Sequence, residues 1–150
     1  MPSKRNRYFK RLTYGVLASL IINSQVIAFD KKESFALSRY IIAGMHAQLG
    51  ETTSAIQEYK SALKADYQNA QIHLGLATTL LKDNQPAKAA EELNLAIKFD
   101  PDAVEPRAIL ALLYFSQNKV SQANAEYEIA LKNAINIESD NADIYKNLGL

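Results

Sequence analysis

Few residues of this 150-residue chain are of the types that perform catalysis or hold metals. The chain has no cysteine and two histidines, His46 and His73. The acidic residues Asp100, Asp102 and Glu105 stand close together, but their run lacks the glycine and the carboxylate spacing of a calcium loop. A glycine-rich phosphate loop and a nucleophile elbow are also missing. The sequence therefore predicts no catalytic, metal or cofactor site, and we expect the protein not to be an enzyme.

The sequence pattern of the chain repeats with a period of 34 residues. The same residue types return at this interval in several independent sets, which is the signature of an array of supersecondary units. The sets are Ala55, Ala89 and Ala123; Tyr59, Leu93 and Tyr127; Ala62, Ala96 and Ala130; and Ile42, Leu76 and Leu110.

Each unit is predicted to be a pair of helices joined by a tight turn. Both halves carry apolar residues at helical spacing. Between the halves stand Gly50, Asn84 and Asn118, residue types that readily adopt the left-handed conformation that ends a helix. Pro86 then suits the first turn of the following helix, and the residue before Pro101 is pushed out of helical geometry. The predicted fold class is all-α.

These residues resemble the tetratricopeptide repeat family. The resemblance rests on the Leu-Ala pair at 76 and 77, on the alanines at 89 and 96 and on Pro101. It implies an α-solenoid of antiparallel helix pairs in a right-handed superhelical array. It places repeats at residues 36–69, 70–103 and 104–141, with the start of a fourth at 142–150.

Several residues depart from the family pattern. Arg39, His73 and Arg107 stand where the family prefers a bulky aromatic residue, and Tyr67 stands where proline is usual. The third repeat is longer than the others by about one helical turn, which predicts a longer helix in the third unit. His46 and His73 fall at positions that pack in the family, so we expect both to be structural.

The segment 1–28 has a different composition from the rest of the chain. Its beginning, "MPSKRNRYFKR", holds five basic residues and no acidic one, and the apolar run "VLASLII" follows. A basic start, a short apolar run and small residues before a cut describe a secretory signal peptide, with cleavage expected after Ala28. The alternative is an uncleaved anchor formed by residues 12–29, which would be the protein's only membrane contact. The expected location is therefore the periplasm or cell envelope.

The mature region, residues 29–150, is predicted to be one repeat array of mildly acidic charge. Removing the five basic residues of the leader from the chain's 17 leaves 12 against 16 acidic ones, a net charge of −4. This balance, without a basic stripe, argues against a nucleic-acid partner.

The resemblance implies that a concave groove formed by the first helix of each unit binds peptides. The predicted groove residues are Tyr40, Gly44, Gln48, Gln71, Leu74, Thr78, Leu81, Lys82, Ala108, Leu112 and Phe115. Some family members grip a C-terminal carboxylate with basic and amide side chains, whereas the corresponding places here hold Tyr40, Gly44, Gly75, Glu105 and Ile109. An apolar groove favours an amphipathic helix or an extended apolar peptide. The other interpretation is that neighbouring residues of the chain cover these side chains.

Two functions follow as expectations. The first is a non-catalytic, exported scaffold that binds a protein or peptide partner. The second is a targeting or docking part of a longer enzyme or assembly factor, because the sequence stops within a predicted helix, as a fragment of a longer array would.

Overall fold

The computed structural model describes the backbone of residues 31–147 and the side chains of residues 31–137. The described chain consists of six α-helices joined by short turns, and contains no strand within these bounds. The predicted leader, residues 1–28, and its cleavage site lie outside the described residues. The helices are α1 (31–48), α2 (Thr52–Ala65), α3 (Ala70–Lys82), α4 (Pro86–Phe99), α5 (Val104–Ser116) and α6 (Val120–Asn147).

The turn inside each helix pair has the predicted conformation. Gly50, Asn84 and Asn118 all have positive φ, at 78°, 56° and 60°. The hydrogen bonds repeat as well: the N–H of Gln85 donates to the carbonyl of Leu80 at 2.8 Å. In the other two units the N–H groups of Glu51 and Lys119 make the equivalent bond, at 2.9 Å in both cases. This bond is part of the Schellman motif, so one local device closes α1, α3 and α5.

The boundaries between units are also set locally. Pro86 lies in the first turn of α4, and α4 ends at Phe99, directly before Asp100 and Pro101, as predicted. The side chain of Asn69 accepts hydrogen bonds from the N–H groups of Gln71 and Ile72 and so caps the start of α3. Such a cap satisfies donors that a helix leaves unpaired at its first turn.

The alanines of the repeated pattern lie where helices come closest. All six are buried, and the two large residues between them, Tyr59 and Leu93, are buried beside them. Small side chains at fixed points let helices approach while larger ones fill the grooves alongside. The alanines are Ala55, Ala62, Ala89, Ala96, Ala123 and Ala130.

The third unit differs from the other two in its second helix. Helix α6 is 28 residues long, twice the length of α2 and α4. A longer helix was predicted here, but the chain also remains helical through position 142, where a fourth unit was predicted to start. The reason is local, because residues 120–147 contain no glycine or proline that would end the helix. The fourth unit therefore stays a prediction, and no turn precedes it within the described backbone.

The three residues that stand where the family prefers an aromatic residue, Arg39, His73 and Arg107, make the same interaction in each unit. Arg39 and Arg107 pair with Glu58 and Glu126, at 3.0 and 2.9 Å. In the second unit His73 Nδ1 lies 2.6 Å from an Oε2 atom of Glu92. Every pair has the same sequence separation, so a charge pair ties the first helix of each unit to the second.

The buried His73 makes the second of these pairs depend on pH. Its Nε2 atom lies 2.8 Å from the carbonyl oxygen of Tyr67, so both ring nitrogens face acceptors, and only the imidazolium donates to both. Burial lowers the pKa of His73, but the bonds to Glu92 and Tyr67 and the charges of Glu92 and Asp66 outweigh it. The pKa of His73 therefore lies above its ordinary value of 6.5.

We expect His73 to stabilise the fold more in mild acid than in mild base. A raised folded-state pKa gives a contribution that is complete below the unfolded pKa and is lost as pH rises through the folded pKa. The free energy of unfolding of the parent, minus that of His73→Gln, should be larger near about pH 5.5 than near about pH 8. Urea denaturation at both values measures this, and a difference that does not change with pH would contradict the charged pair.

The two glycines beside Tyr59 should respond to alanine in opposite directions. A Cβ at Gly75 would lie 2.6 Å from a ring carbon of Tyr59, whereas one at Gly44 would make an ordinary 3.9 Å contact with the hydroxyl. Gly75→Ala should destabilise the fold by about 1–3 kcal/mol through overpacking. Gly44→Ala should stabilise it by up to about 1 kcal/mol through helix propensity. Thermal melting that shifts in the same direction for both would show that Tyr59 does not pack as described.

Candidate functional site

The predicted groove residues divide by exposure. Most are exposed or half-buried, as a ligand-binding surface requires. The exposed ones are Gln48, Gln71, Lys82, Leu112 and Phe115, and the half-buried ones are Tyr40, Gly44, Thr78, Leu81 and Ala108.

Leu74 is the exception, and its predicted exposure in the groove is wrong. Its side chain is 7% exposed and belongs to a core cluster with Leu93 of α4 and Leu110 of α5. The position fills the space between the second and third units. A charge placed there would therefore test the core and not the groove.

The α1–α3 end of the groove contains a cavity of about 520 Å³. Its apolar lining includes Leu37, Tyr40 and Ile72. The charged residues that line it are both acidic, Glu33 and Asp66. The full lining is Glu33, Ser34, Ala36, Leu37, Tyr40, Asp66, Asn69, Gln71 and Ile72. Sequence reasoning included Tyr40 and Gln71 but missed both carboxylates, because these lie in the first turn of α1 and in the turn after α2.

Tyr59 packs between α1 and α3 next to this cavity. A Cβ built on Gly44 would lie 3.9 Å from its hydroxyl, and one on Gly75 would lie 2.8 Å from it. The ring centroids of Tyr40 and Tyr59 are 5.9 Å apart, and the rings are tilted by 60°. Burial, and then the charge of Tyr40, raise the pKa of Tyr59 above 10.0, so this hydroxyl is a neutral hydrogen-bonding group at neutral pH. Glycine at position 75 therefore lets the Tyr59 ring pack directly against the backbone of α3.

Helix α5 supplies the most exposed apolar part of the groove. Leu112 is 58% and Phe115 63% exposed, and their i, i+3 spacing places them on one side of the helix. Glu105, at the start of α5, is exposed and acidic. Single exposed apolar residues are ordinary on a protein surface, whereas large neighbouring ones indicate a surface that binds another molecule.

The two histidines make contacts that stabilise the fold. His46 is half-buried and pairs with Glu51 across the turn between α1 and α2. His73 is buried between Glu92 and the backbone of Tyr67. Within the described chain no three His, Asp or Glu residues come together as a metal site would require.

Within residues 31–147 no helix combines the length and the apolar character that a bilayer span needs.

Comparison with known proteins shows what the repeated unit is similar to. The tetratricopeptide repeat family model matches residues 46–113. The matched residues are thus similar to tetratricopeptide repeats. The match runs from the end of α1 into α5 and thus covers the α1–α2 turn, the second unit and most of α5.

Several solved structures share the fold. MamA has a TM-score of 0.68 at 18% identity; the match covers 69% of this chain and 61% of MamA, less than two thirds of that protein. The second repeat domain of Spaghetti (RPAP3), bound to the HSP90 peptide SRMEEVD, has a TM-score of 0.66 at 23% identity, covering 69% of this chain and 95% of that one. At such identities the likeness concerns the fold alone.

One similar protein matches over most of the chain. The photosystem I assembly protein Ycf3 of Cyanophora paradoxa is 27% identical over 135 residues, covering 87% of this chain and 76% of that protein. Its match extends beyond the residues that the family model covers.

Proposed function

We propose that the protein is a non-catalytic scaffold that binds an apolar peptide or helix of a partner protein in its concave groove. The observation that carries the proposal is the pair of exposed side chains Leu112 and Phe115 at groove positions of α5. Tyr40 and Leu37 extend the apolar character to the α1 end of the groove. Burying such side chains against a partner removes apolar surface from water, which is the main driving force of protein association.

The solved relatives support peptide binding as the general mode. Two of them are repeat domains of RPAP3 that hold the HSP90 peptide SRMEEVD, and another was determined with the HSP70 peptide SGPTIEEVD. Both peptides end in acidic residues.

The charges in this groove argue for a different peptide chemistry. The cavity at the α1 end is lined by the carboxylates of Glu33 and Asp66, and Glu105 begins α5. Lys82 is the basic residue among the groove positions. Like charges disfavour association and opposite ones favour it, so a peptide with an acidic end is the wrong partner.

A peptide library selected on the full chain tests this proposal. Enriched sequences should share apolar side chains and lack an acidic C-terminal tail, and a synthetic SRMEEVD peptide should not compete with them. Enrichment of acidic C-terminal tails would contradict the chemistry proposed for this groove.

We also propose that the protein works after export, in the periplasm or cell envelope. Support comes from the basic start and the short apolar run of residues 1–28. N-terminal sequencing of the exported protein should find Phe29 as the first residue, and Ala28→Arg should block the cut, because the peptidase accepts small residues there. Exported protein that begins at Met1 or Pro2 would instead support an anchor formed by residues 12–29.

The second candidate is a docking part of an assembly factor. The likeness to a photosystem I assembly protein, which extends along most of the chain, favours this candidate over a docking part of an enzyme. An assembly factor leaves its client, so the partner captured by the groove should also occur in a larger complex that lacks this chain. A partner found only with this chain favours the permanent scaffold.

A further inference from the structure

The described array has an exposed apolar face at each of its two ends. On α1 the face consists of Ile41, Ile42, Met45 and Leu49, of which Ile41 is 53% and Met45 59% exposed. On α6 it consists of Val120, Leu131 and Ile135 together with the half-buried Tyr127, and Leu131 is 63% and Ile135 65% exposed. We call these the α1 face and the α6 face. Neither belongs to the concave groove.

The α1 face repeats a surface that is buried elsewhere in the same molecule. One repeat further along the chain, Ile42 becomes Leu76 and Met45 becomes Thr79, both buried in α3. In α3 this surface contacts α2: Leu76 shares a core cluster with residues of α2, and Gly75 meets the ring of Tyr59. In the third unit the counterparts on α5, Leu110 and Leu113, are buried as well. The α1 face thus corresponds to the surface by which the first helix of a unit packs against the second helix of the preceding unit.

The α6 face is the other half of that contact. Its residue Tyr127 corresponds to Tyr59 of α2 and Leu93 of α4, which are buried. Likewise, Leu131 corresponds to Leu63 and Ile97, which pack partly buried against the core clusters. In α2 and α4 this surface is covered by α3 and α5. On α6, Leu131 is exposed and Tyr127 is half-buried.

We propose that the α6 face of one copy packs on the α1 face of a second copy and continues the contact made by α2 with α3 and by α4 with α5. The occupant follows from the repeat, because Ile42 on one face and Tyr127 and Leu131 on the other correspond to Leu76, Tyr59 and Leu63, which pack in one core cluster inside the chain. Burial of Leu131 and Ile135 against aliphatic side chains supplies the driving force.

The proposed contact is head-to-tail, which sets how the copies assemble. Each copy uses different surfaces for its two neighbours, so the contact is heterologous. When two copies associate, the α6 face of the first packs on the α1 face of the second. The α1 face of the first copy and the α6 face of the second remain free. Association should therefore proceed beyond a dimer as concentration rises, as an extended array in which the grooves of successive copies follow one another.

Two variants of the full chain, each blocked on one face, test the proposal. Ile41→Glu with Met45→Glu blocks the α1 face, and Leu131→Glu with Ile135→Glu blocks the α6 face. Analytical ultracentrifugation should give the mass of one chain for each variant alone. Because each variant keeps the face that the other has lost, an equimolar mixture should give twice the mass of one chain and no more. Serine at the same positions should give the same results with a smaller change to each surface.

A matched control separates this contact from general adhesion of apolar surface. Leu112→Glu with Phe115→Glu removes two side chains of similar exposure from the groove, and this variant should associate as the parent does. The proposal is overturned if the parent keeps the mass of one chain at all concentrations, if the mixture yields no dimer, or if the groove variant also loses association. Association measured in this way does not depend on the groove ligand, so failure here leaves the proposed function standing.

Discussion

Replacing Leu112 and Phe115 with glutamate will abolish binding of a library-selected peptide while leaving the helices intact. Both side chains are more than half exposed, so the fold itself loses little packing. In the complex, however, each carboxylate would lose water without gaining a partner, which costs several kcal/mol. The affinity, measured by fluorescence anisotropy of the labelled peptide, should fall by about 100-fold or more, since about 1.4 kcal/mol corresponds to a factor of ten.

The control for this prediction lies on the opposite side of the array. Lys60→Glu with Lys98→Glu makes the same number of new carboxylates on exposed positions of α2 and α4. This variant should bind the peptide as the parent does, and both variants should keep the helical circular dichroism of the parent. If the groove variant keeps its affinity, or the lysine variant loses as much, the concave surface is not where the peptide binds.

The largest effect on stability is expected from Leu93→Ala. Leu93 is fully buried in α4 and shares its cluster with Leu74 and Leu110 of the neighbouring helices. Truncating a buried leucine removes favourable burial and leaves a cavity, so the free energy of unfolding should fall by about 2–5 kcal/mol. Leu112→Ala is the matched control, because it is the same substitution at an exposed site, and it should change the free energy by less than about 0.5 kcal/mol. Equal urea midpoints for the two variants would contradict the packing of the second unit.

The features that were predicted correctly depend on local sequence. Gly50, Asn84 and Asn118 end helices because of their own backbone preferences, and proline acts within one turn of its position. The buried alanines were predicted because alanine recurs at the same position of each unit, as at Ala55 and Ala89, which indicates the same close helix contact in each. Such signals need no knowledge of distant neighbours.

The features that were missed or wrong depend on neighbours. The position of Leu74 in its unit suggested the groove, but this side chain is buried in a cluster with residues of α4 and α5. The charge pairs made by Arg39, His73 and Arg107 each join two helices. Their glutamate partners could have been predicted, because the glutamates also recur at the interval of the repeat. The partners are Glu58, Glu92 and Glu126. A search for charges that share the period of the repeat would have found them.

The candidate site was predictable in outline only. The family pattern pointed to the first helix of each unit, and every predicted residue except Leu74 is exposed or half-buried. The acidic lining of the cavity depends on Glu33 and Asp66, which lie outside the usual groove positions. The close packing of Tyr59 against α3 depends on Gly75, which comes from the next unit along the chain.

The most direct test of groove binding is site-specific photo-crosslinking. A photoreactive phenylalanine analogue is placed in the full chain at position 40 or 112 in the groove, and at position 60 or 98 on the second helix of a unit. After illumination with the selected peptide, mass spectrometry should find the peptide joined to the chain that carries the analogue at 40 or 112. Chains that carry it at 60 or 98 should remain unlabelled. Labelling at 60 or 98 without labelling at 40 or 112 would place the binding surface outside the groove and contradict the proposed function.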